Sequence, residues 1–576
     1  MPDPSASTTE QSPLLSRRTS LSSNASTASK SVGDQSSAQL ESNDEPAPVI
    51  STVRGTVVIA SIGLLIFLEA TNISILTTTQ SAIAADLDAF EQVSWLTSSY
   101  LIAMSSISPL SGRLCQLFSP RICIFVSTMI VCIGSIITSL SSTLAVFLFG
   151  RAVTGAGAAG ILVVATIIAI QLASDKQRGL YIGLINSGMT IGVSLGAVIA
   201  GAVEPKYGWN VLFGAQAPLS LVVGICLLFG IPKRFVSGER AYTDLPLRMK
   251  LRRVDYFGAL ALTSTIVLFL LGLSGPRVLP LPMILAVIIF PFFVINEARY
   301  AADPIIPMAV LRSRGTLLTC LATVGFMMAR WSILFYTPVY ALAIRGWSPA
   351  VAGSILIPTN AGFATGGLLA GLLHIRRAGS FYVPSLVTMG LFPVTLLLLA
   401  LFSIPEVPTA AYIVLVFLNG FVTGGALNYT LVHALHLTLP SVHPIVLSLV
   451  ATFRGFAGSF GSAIGGGLFT RILHTTLAKG FADVGLKHRE GLVRRLMGSP
   501  AIVRGLEGVE QEVAISAYVT AVRALFFAAM GLACCVVFIQ AGTGWKEAVD
   551  PNRKVVENYE VDEEEVEEEE ALLGGA

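Results

Sequence analysis

An all-α integral membrane protein is the fold class this chain predicts, on three observations. Of its 576 residues, 53% are hydrophobic and only 12% charged. Apolar runs long enough to cross a hydrocarbon core of about 30 Å recur from residue 55 to residue 540. Lys and Arg gather in alternate connecting loops, the bias that orients helices in a bilayer.

The elements follow in order. Residues 1–52 are rich in Ser, Thr and Ala and too poor in apolar surface to offset ordering entropy, so a disordered cytosolic tail is expected. It holds no apolar h-region or cleavage site and reads as uncleaved. Glu10-Gln-Ser-Pro-Leu14-Leu15 fits an acidic dileucine sorting pattern, in which a carboxylate and two leucines meet a coat adaptor, and Glu568-Glu-Glu-Ala-Leu-Leu573 repeats it. Fourteen apolar segments are expected at 55–78, 94–112, 122–141, 144–172, 180–203, 210–232, 254–274, 278–296, 315–343, 350–373, 381–403, 408–435, 443–469 and 516–540. They group as a six-helix bundle (53–232), linkers with two inserted helices (233–314), a second six-helix bundle (315–540) and an acidic cytosolic tail (541–576). The run Glu557 to Glu570 in that tail reads as solvated.

Orientation comes from the loops. One set carries Arg113, Arg121, Lys176, Arg178, Lys233, Arg234, Arg240, Arg248, Lys250, Arg252, Arg253, Arg299, Arg312, Arg314, Arg376 and Arg377, and is cytosolic. The alternate set carries Lys206, Arg277 and Arg345, with Asp86, Asp88 and Glu91 in its first loop. Residues 470–515 break the bias: this expected lumenal loop holds Arg471, Lys479, Lys487, Arg489, Arg494, Arg495 and Arg504. Gly112-Arg-Leu114 with Arg121 is echoed by Gly371-Leu-Leu373 with Arg376 and Arg377, each after the second span of a six-helix set. Internal repeats of this kind build a central site that opens to either side.

Composition also excludes. A formal net charge of +2, with the cations confined to short loops, offers no stripe for nucleic acid. Seven cysteines without C-x-x-C spacing read as small core residues, with metal or disulfide chemistry the minor alternative. His433, His436 and His443 are poorly spaced for a metal. No His-rich, Asp-rich or Ser/His/Asp cluster sits at an interface, so the chain is not expected to be an enzyme. No cofactor is implied, and a monomer is expected.

Four ionisable residues lie inside spans: Glu69, Arg151, Arg330 and Arg454. Insertion scales charge about 2.5–3.5 kcal/mol for such a residue at mid-bilayer, so each should face a cavity or a partner. Glu69 lies some fourteen residues past Gly55, ~21 Å along a helix. A carboxyl stripped of water there can load and release a proton in the working pH range. Arg330 either binds an anionic group or snorkels. Asn360, Asn419, Asn428 and Tyr429 are polar positions in later spans, read as cavity lining or as cross-helix bonds. Gly188, Gly192, Gly196 and Ala200 fall four apart on one face of the fifth span, as do Gly455, Gly458, Gly461 and Gly465 near one face of the thirteenth. Such faces let backbones approach closely. Tight packing is one reading of them, sliding of two bundles the other. Trp95 and Tyr100 open the second span, where amphipathic rings prefer a membrane interface.

The run from Val93-Ser-Trp95 through Ser99-Tyr-Leu-Ile102 to Gly112-Arg113-Leu114 and Arg121 resembles the loop signature of the major facilitator superfamily. Gln116 and Ser119 stand where that family has Asp and Gly. Within the family the chain resembles the fourteen-helix drug:proton antiporter branch, and most of all fungal vacuolar basic-amino-acid transporters. The resemblance covers residues 55 to 540 and implies two six-helix bundles with two inserted helices. In the first span it places Asn72 at the family's Asp, and Glu69, one turn earlier on nearly the same face, is expected to replace that acid. Gly150-Arg151-Ala-Val-Thr-Gly-Ala-Gly resembles the fourth-span motif whose arginine is associated with proton coupling, so Arg151 is expected to pair with Glu69. Gly196-Ala197 replaces the antiporter Gly-Pro pair, which argues against drug antiport. Trp209-Asn-Val-Leu-Phe-Gly-Ala-Gln216-Ala-Pro218 resembles a sixth-span motif in the form associated with the vacuolar group. Arg454, in Phe453-Arg-Gly-Phe-Ala-Gly458, matches a thirteenth-span pattern and reads as gating or structural.

The leading expectation is a proton-coupled transporter of small cationic solutes, basic amino acids favoured, in a vacuolar membrane. Plasma-membrane efflux of drugs or toxins and a non-transporting nutrient sensor are the alternatives.

Overall fold

The computed structural model describes residues 52–90, 92–172, 178–232, 246–274, 277–301, 305–306, 313–371, 381–438, 443–486 and 488–544. The dileucine residues Glu10, Leu14 and Leu15, the pair Arg376 and Arg377 and the acidic run lie outside them. Every described regular element is a helix.

The first half comprises α1 (Thr52–Asp86), α2 (Val93–Leu117), α3 (Pro120–Ser139), α4 (Leu144–Leu172), α5 (Arg178–Tyr207), α6 (Trp209–Gly214) and α7 (Gln216–Gly230). After a short α8 (Leu247–Arg252) come α9 (Tyr256–Ser274) and α10 (Pro280–Ile295), which ends in a π-helical turn, Asn296–Tyr300. The second half comprises α11 (Arg314–Ala343), α12 (Pro349–Ser354), α13 (Leu356–Leu369), α14 (Tyr382–Phe402), α15 (Thr409–His436), α16 (His443–Asp483), α17 (Glu490–Gly498) and α18 (Gly508–Ala541). Among the described residues, eleven helices are long and apolar enough to cross a membrane. The second, tenth and thirteenth expected segments are also helical, but more polar or interrupted.

Two expected spans are broken, for one reason. Proline lacks an N–H and its ring clashes with the carbonyl four residues earlier. Pro218 stands four past Gly214, where α6 ends, and Pro358 four past Ser354, where α12 ends. Each break is a single residue, Ala215 or Ile355.

The expected loop 470–515 is largely helical, which corrects the sequence reading. α16 continues to Asp483 because Leu473, Leu477 and Phe481 recur every four residues and are buried on one face. Beyond it, Gly485 takes a left-handed φ of 79°. α17 buries Val493 and Leu496, and a 3₁₀ turn at Pro500–Gly505 leads into α18. Three of the basic residues of this segment find oxygens. Arg471 donates to Leu273 O at 2.6 Å, Arg489 pairs with Glu510 at 2.6 Å, and Arg494 meets Asp88 at 3.4 Å.

The halves repeat one packing order. α1 packs on α5 and α7, α2 on α4, and α3 on α4 and α7. In the second half α11 packs on α16 and α18, α13 on α15, and α14 on α15 and α18. The expected glycine faces make the first contact of each set. A Cβ at Gly192 would stand 2.7 Å from Ala70 Cβ and 2.8 Å from Phe67 O, and one at Gly196 would stand 2.8 Å from Thr71 Cα. Gly461 approaches Met328 O of α11 equally closely, at 2.9 Å, whereas Gly455 faces open space. Gly188 has only ordinary contact, 3.6 Å to Ile66.

These distances set an expectation for thermal unfolding of the detergent-purified protein. Gly192→Ala and Gly196→Ala should each cost about 1–3 kcal/mol by overpacking. Gly188→Ala, free of that clash, should melt as the wild type does or slightly higher.

Candidate functional site

Glu69 sits midway along α1, 5% exposed, and neither carboxylate oxygen has a hydrogen-bond partner. It lines a small cavity of about 10 Å³ with Leu65, Leu68, Asn72, Tyr100, Thr154, Ala158, Gln216 and Ser220. That is about the space of one water. The carboxyl is therefore enclosed by protein, facing neither lipid nor bulk water.

The polar chain beside it starts three residues later. Arg151 of α4, 1% exposed, donates from Nη1 to Asn72 Oδ1. Asn72 Nδ2 donates to Gln216 Oε1 at 2.7 Å, and Gln216 Nε2 closes the chain on Leu212 O at 3.2 Å. Three motif residues singled out from separate spans thus form one network. The aromatic rings of Tyr100 and Phe213 lie 4.5 and 5.4 Å from the guanidinium carbon, within cation–π range.

Two expectations are corrected here. Arg151 bonds Asn72 rather than Glu69, and the cation whose charge reaches Glu69 is Arg454 of α16, in the other half. Arg454 is half-buried and its Nη2 lies 3.6 Å from Met189 Sδ. The reason is geometric: Glu69 and Asn72 are one turn apart on α1, and the shorter reach from α4 falls on the amide. Tyr100 is no interfacial ring. It is 1% exposed, covered by the guanidinium, with its hydroxyl unpartnered.

A second network lies in the other half. Arg330 of α11, 3% exposed, donates to Thr359 Oγ1 from Nη1, to Thr359 O at 3.2 Å and Asn360 Oδ1 at 3.3 Å from Nη2, and reaches Asn419 Oδ1 at 3.5 Å. Asn419 Nδ2 donates to Thr395 Oγ1 at 2.9 Å, and Asn360 Nδ2 crosses to Ser194 Oγ of α5 at 3.1 Å. Phe363 lies 5.4 Å from the guanidinium carbon. The two networks are transposed copies. In the first half the Asn is on the first helix and the Arg on the fourth; in the second the Arg is on the first and the Asn on the fourth. Tyr100 and Phe363 come from the second span of each half.

Other expected positions fall elsewhere. Asn428 is half-buried and donates to Gly424 O of its own helix at 3.1 Å, and Tyr429 is half-buried on the same turn. A Cβ at Gly112 would stand 3.6 Å from Val163, and Arg113 and Arg121 are half-buried at the α2–α3 turn, away from both networks. His433 faces Thr543 Oγ1 at 3.0 Å. The residues that sequence reasoning missed are Thr359, Thr395, Ser194 and Phe363. Superposing the two repeats as sequences would have placed Arg330 and Asn419 against Asn72 and Arg151 and drawn attention to the aromatics.

Removing acceptors tests the first network. Asn72→Leu leaves Arg151 without its oxygen and should cost about 3–5 kcal/mol. Gln216→Ala, which removes a neutral link, should cost only about 1 kcal/mol. Thermal melting of both variants in the same detergent reads the difference.

A family profile described as Major Facilitator Superfamily matches residues 62–462. The vacuolar membrane amino acid uptake transporter fnx2 of Schizosaccharomyces pombe is 26% identical over 442 residues, 75% of this chain and 74% of the relative. The MFS-type efflux pump LUC4 of a Fusarium species is 26% identical over 461 residues, 77% of this chain and 80% of the relative. Among solved structures, a bacterial homologue of the human lysosomal transporter Spinster, inward-facing and unoccupied, superposes with a TM-score of 0.58 at 12% identity, over 86% of this chain and 98% of that one.

Proposed function

The chain belongs to the major facilitator superfamily and is a membrane transporter, and from that premise we propose that it moves small solutes, cationic amino acids favoured, across the vacuolar membrane by proton-coupled alternating access through fourteen spans.

One observation carries this reading: Glu69 is a buried carboxyl with no hydrogen-bond donor, one turn from the Asn72–Arg151 pair and within the field of Arg454 across the seam. An ionised carboxyl without donors in a low-dielectric interior is unsolvated, whereas the neutral acid is tolerated. Proton loss is thus tied to a rearrangement that brings water or a cation to Glu69, and a transported cation serves as well as Arg454. The repeat supplies the moving parts, since each half is closely packed within itself and exchangeable polar bonds such as Asn360–Ser194 cross between them. The dileucine patterns and the likeness to a vacuolar amino acid uptake transporter support the vacuolar address.

The likeness to an efflux pump at equal identity supports a second reading, export of a secondary metabolite or drug across the plasma membrane. Imaging a tagged chain separates the two addresses.

The expected result for Glu69→Gln in vacuolar vesicles is uptake of radiolabelled lysine and arginine under a pH gradient reduced about tenfold or more, the equivalent of ~1.4 kcal/mol. Exchange of the same solutes without a gradient should persist. Undiminished gradient-driven uptake by this variant would sink the coupling role.

A further inference from the structure

Arg330 is a permanently charged group whose partners among the described residues are neutral. Its acceptors are the hydroxyl and carbonyl of Thr359 and the amide oxygens of Asn360 and Asn419, with the face of Phe363 beside it. A guanidinium does not deprotonate in a protein, so a full positive charge is held by dipoles alone. Arg151 is in the same position, on Asn72 and two rings.

The interior offers little to balance them. Among the described residues the fully buried acids are Glu69 and Glu297. Glu297 is taken up by the backbone N–H groups of Ile305 and Ile306, at 3.1 and 3.4 Å, at the end of α10. Among the described residues Glu69 is the other buried acid, against the buried guanidiniums of Arg151 and Arg330.

Arg330 is also at the seam. Asn360 accepts from its Nη2 and, through its own Nδ2, donates to Ser194 of the opposite half. A planar fork with neutral, exchangeable acceptors is matched to a bidentate oxyanion, whose charge-assisted bonds are about twice as strong as those to an amide. An anion that displaces Asn360 from Arg330 also disturbs the Asn360–Ser194 bond, so occupancy is felt by both halves.

We propose that Arg330 receives the carboxylate, or an equivalent planar oxyanion, of the transported solute, taking the places of the Asn360 and Asn419 amides. This rests on the transporter reading and narrows it: the solute carries an anionic group.

The test uses full-length purified protein and solute pairs that differ in the carboxylate: lysine with cadaverine, leucine with isoamylamine, succinate with butanediol. Thermal stabilisation measures binding, and proteoliposomes under a pH gradient measure flux. The carboxylate-bearing member of at least one pair should bind about tenfold more tightly, the gain from a charge-assisted fork. Arg330→Gln should bring that ratio near one, and Arg330→Lys, a point charge without the fork, should fall between. Asn360→Asp, which sets a competing carboxylate beside Arg330, should lower the ratio even if Arg330→Gln does not fold. Absence of preference in the wild type, or an unchanged ratio in the folded variants, overturns the proposal. Carboxylate-selective binding without flux would instead remove the transport reading and leave the oxyanion site standing.

Discussion

A guanidinium placed inside a bundle of apolar helices must be given oxygen atoms, and the arrangement of both halves follows from how this chain supplies them. Arg151 ties α4 to α1 through Asn72, and Asn72 ties α1 to α7 through Gln216. Arg330 ties α11 to α13 and α15, and Asn419 extends the tie to α14. Removing one partner of a buried charge leaves it uncompensated, at a cost of about 3–5 kcal/mol. Each half is therefore fixed internally by the same device, an arginine, an asparagine and an aromatic ring, with the first two exchanged between helices.

Packing reinforces that division. Within the halves the glycine faces bring α5 against α1 and α16 against α11 at backbone distance. Between the halves polar contacts lie beside apolar ones, in which Ile73, Leu101 and Met104 cluster with Phe335, and Val193 with Leu356. Ser98 meets Ser462 at 3.3 Å, Ser194 meets Asn360, and a Cβ at Gly201 would stand 2.7 Å from Ala350 N. Hydroxyls and amides at a seam exchange partners at little net cost, since each new bond resembles the one it replaces. A motion that preserves each half and rearranges the seam would remake the Asn360–Ser194 and Ser98–Ser462 pairs and part the apolar contacts beside them.

Much of this was legible residue by residue. Asn72, Arg151 and Gln216 each stood out as polar positions in apolar spans, and the structure joins all three. The glycine faces were legible from four-residue spacing, although Gly188 and Gly455 belong to the pattern without making close contacts. The partner of Arg151 was not legible. Glu69 and Asn72 lie one turn apart on one helix, and a difference of about 5 Å along the axis decides which of them a neighbour meets. Tyr100 was misplaced because an aromatic near a span's start is equally suited to an interface or to a buried cation. The segment 470–515 was misread because its charges obscured the four-residue recurrence of Leu473, Leu477 and Phe481.

The sequence by itself determined which stretches leave water, where the chain turns, and that a handful of ionisable side chains are carried into the interior. These follow from partition free energies, which depend on the composition of a contiguous run and not on its neighbours. Only the tertiary structure decided which side chain each buried charge meets. A helix that is apolar on every side has no moment to fix its rotation about its own axis, so the facing residues are set by the neighbouring helices alone.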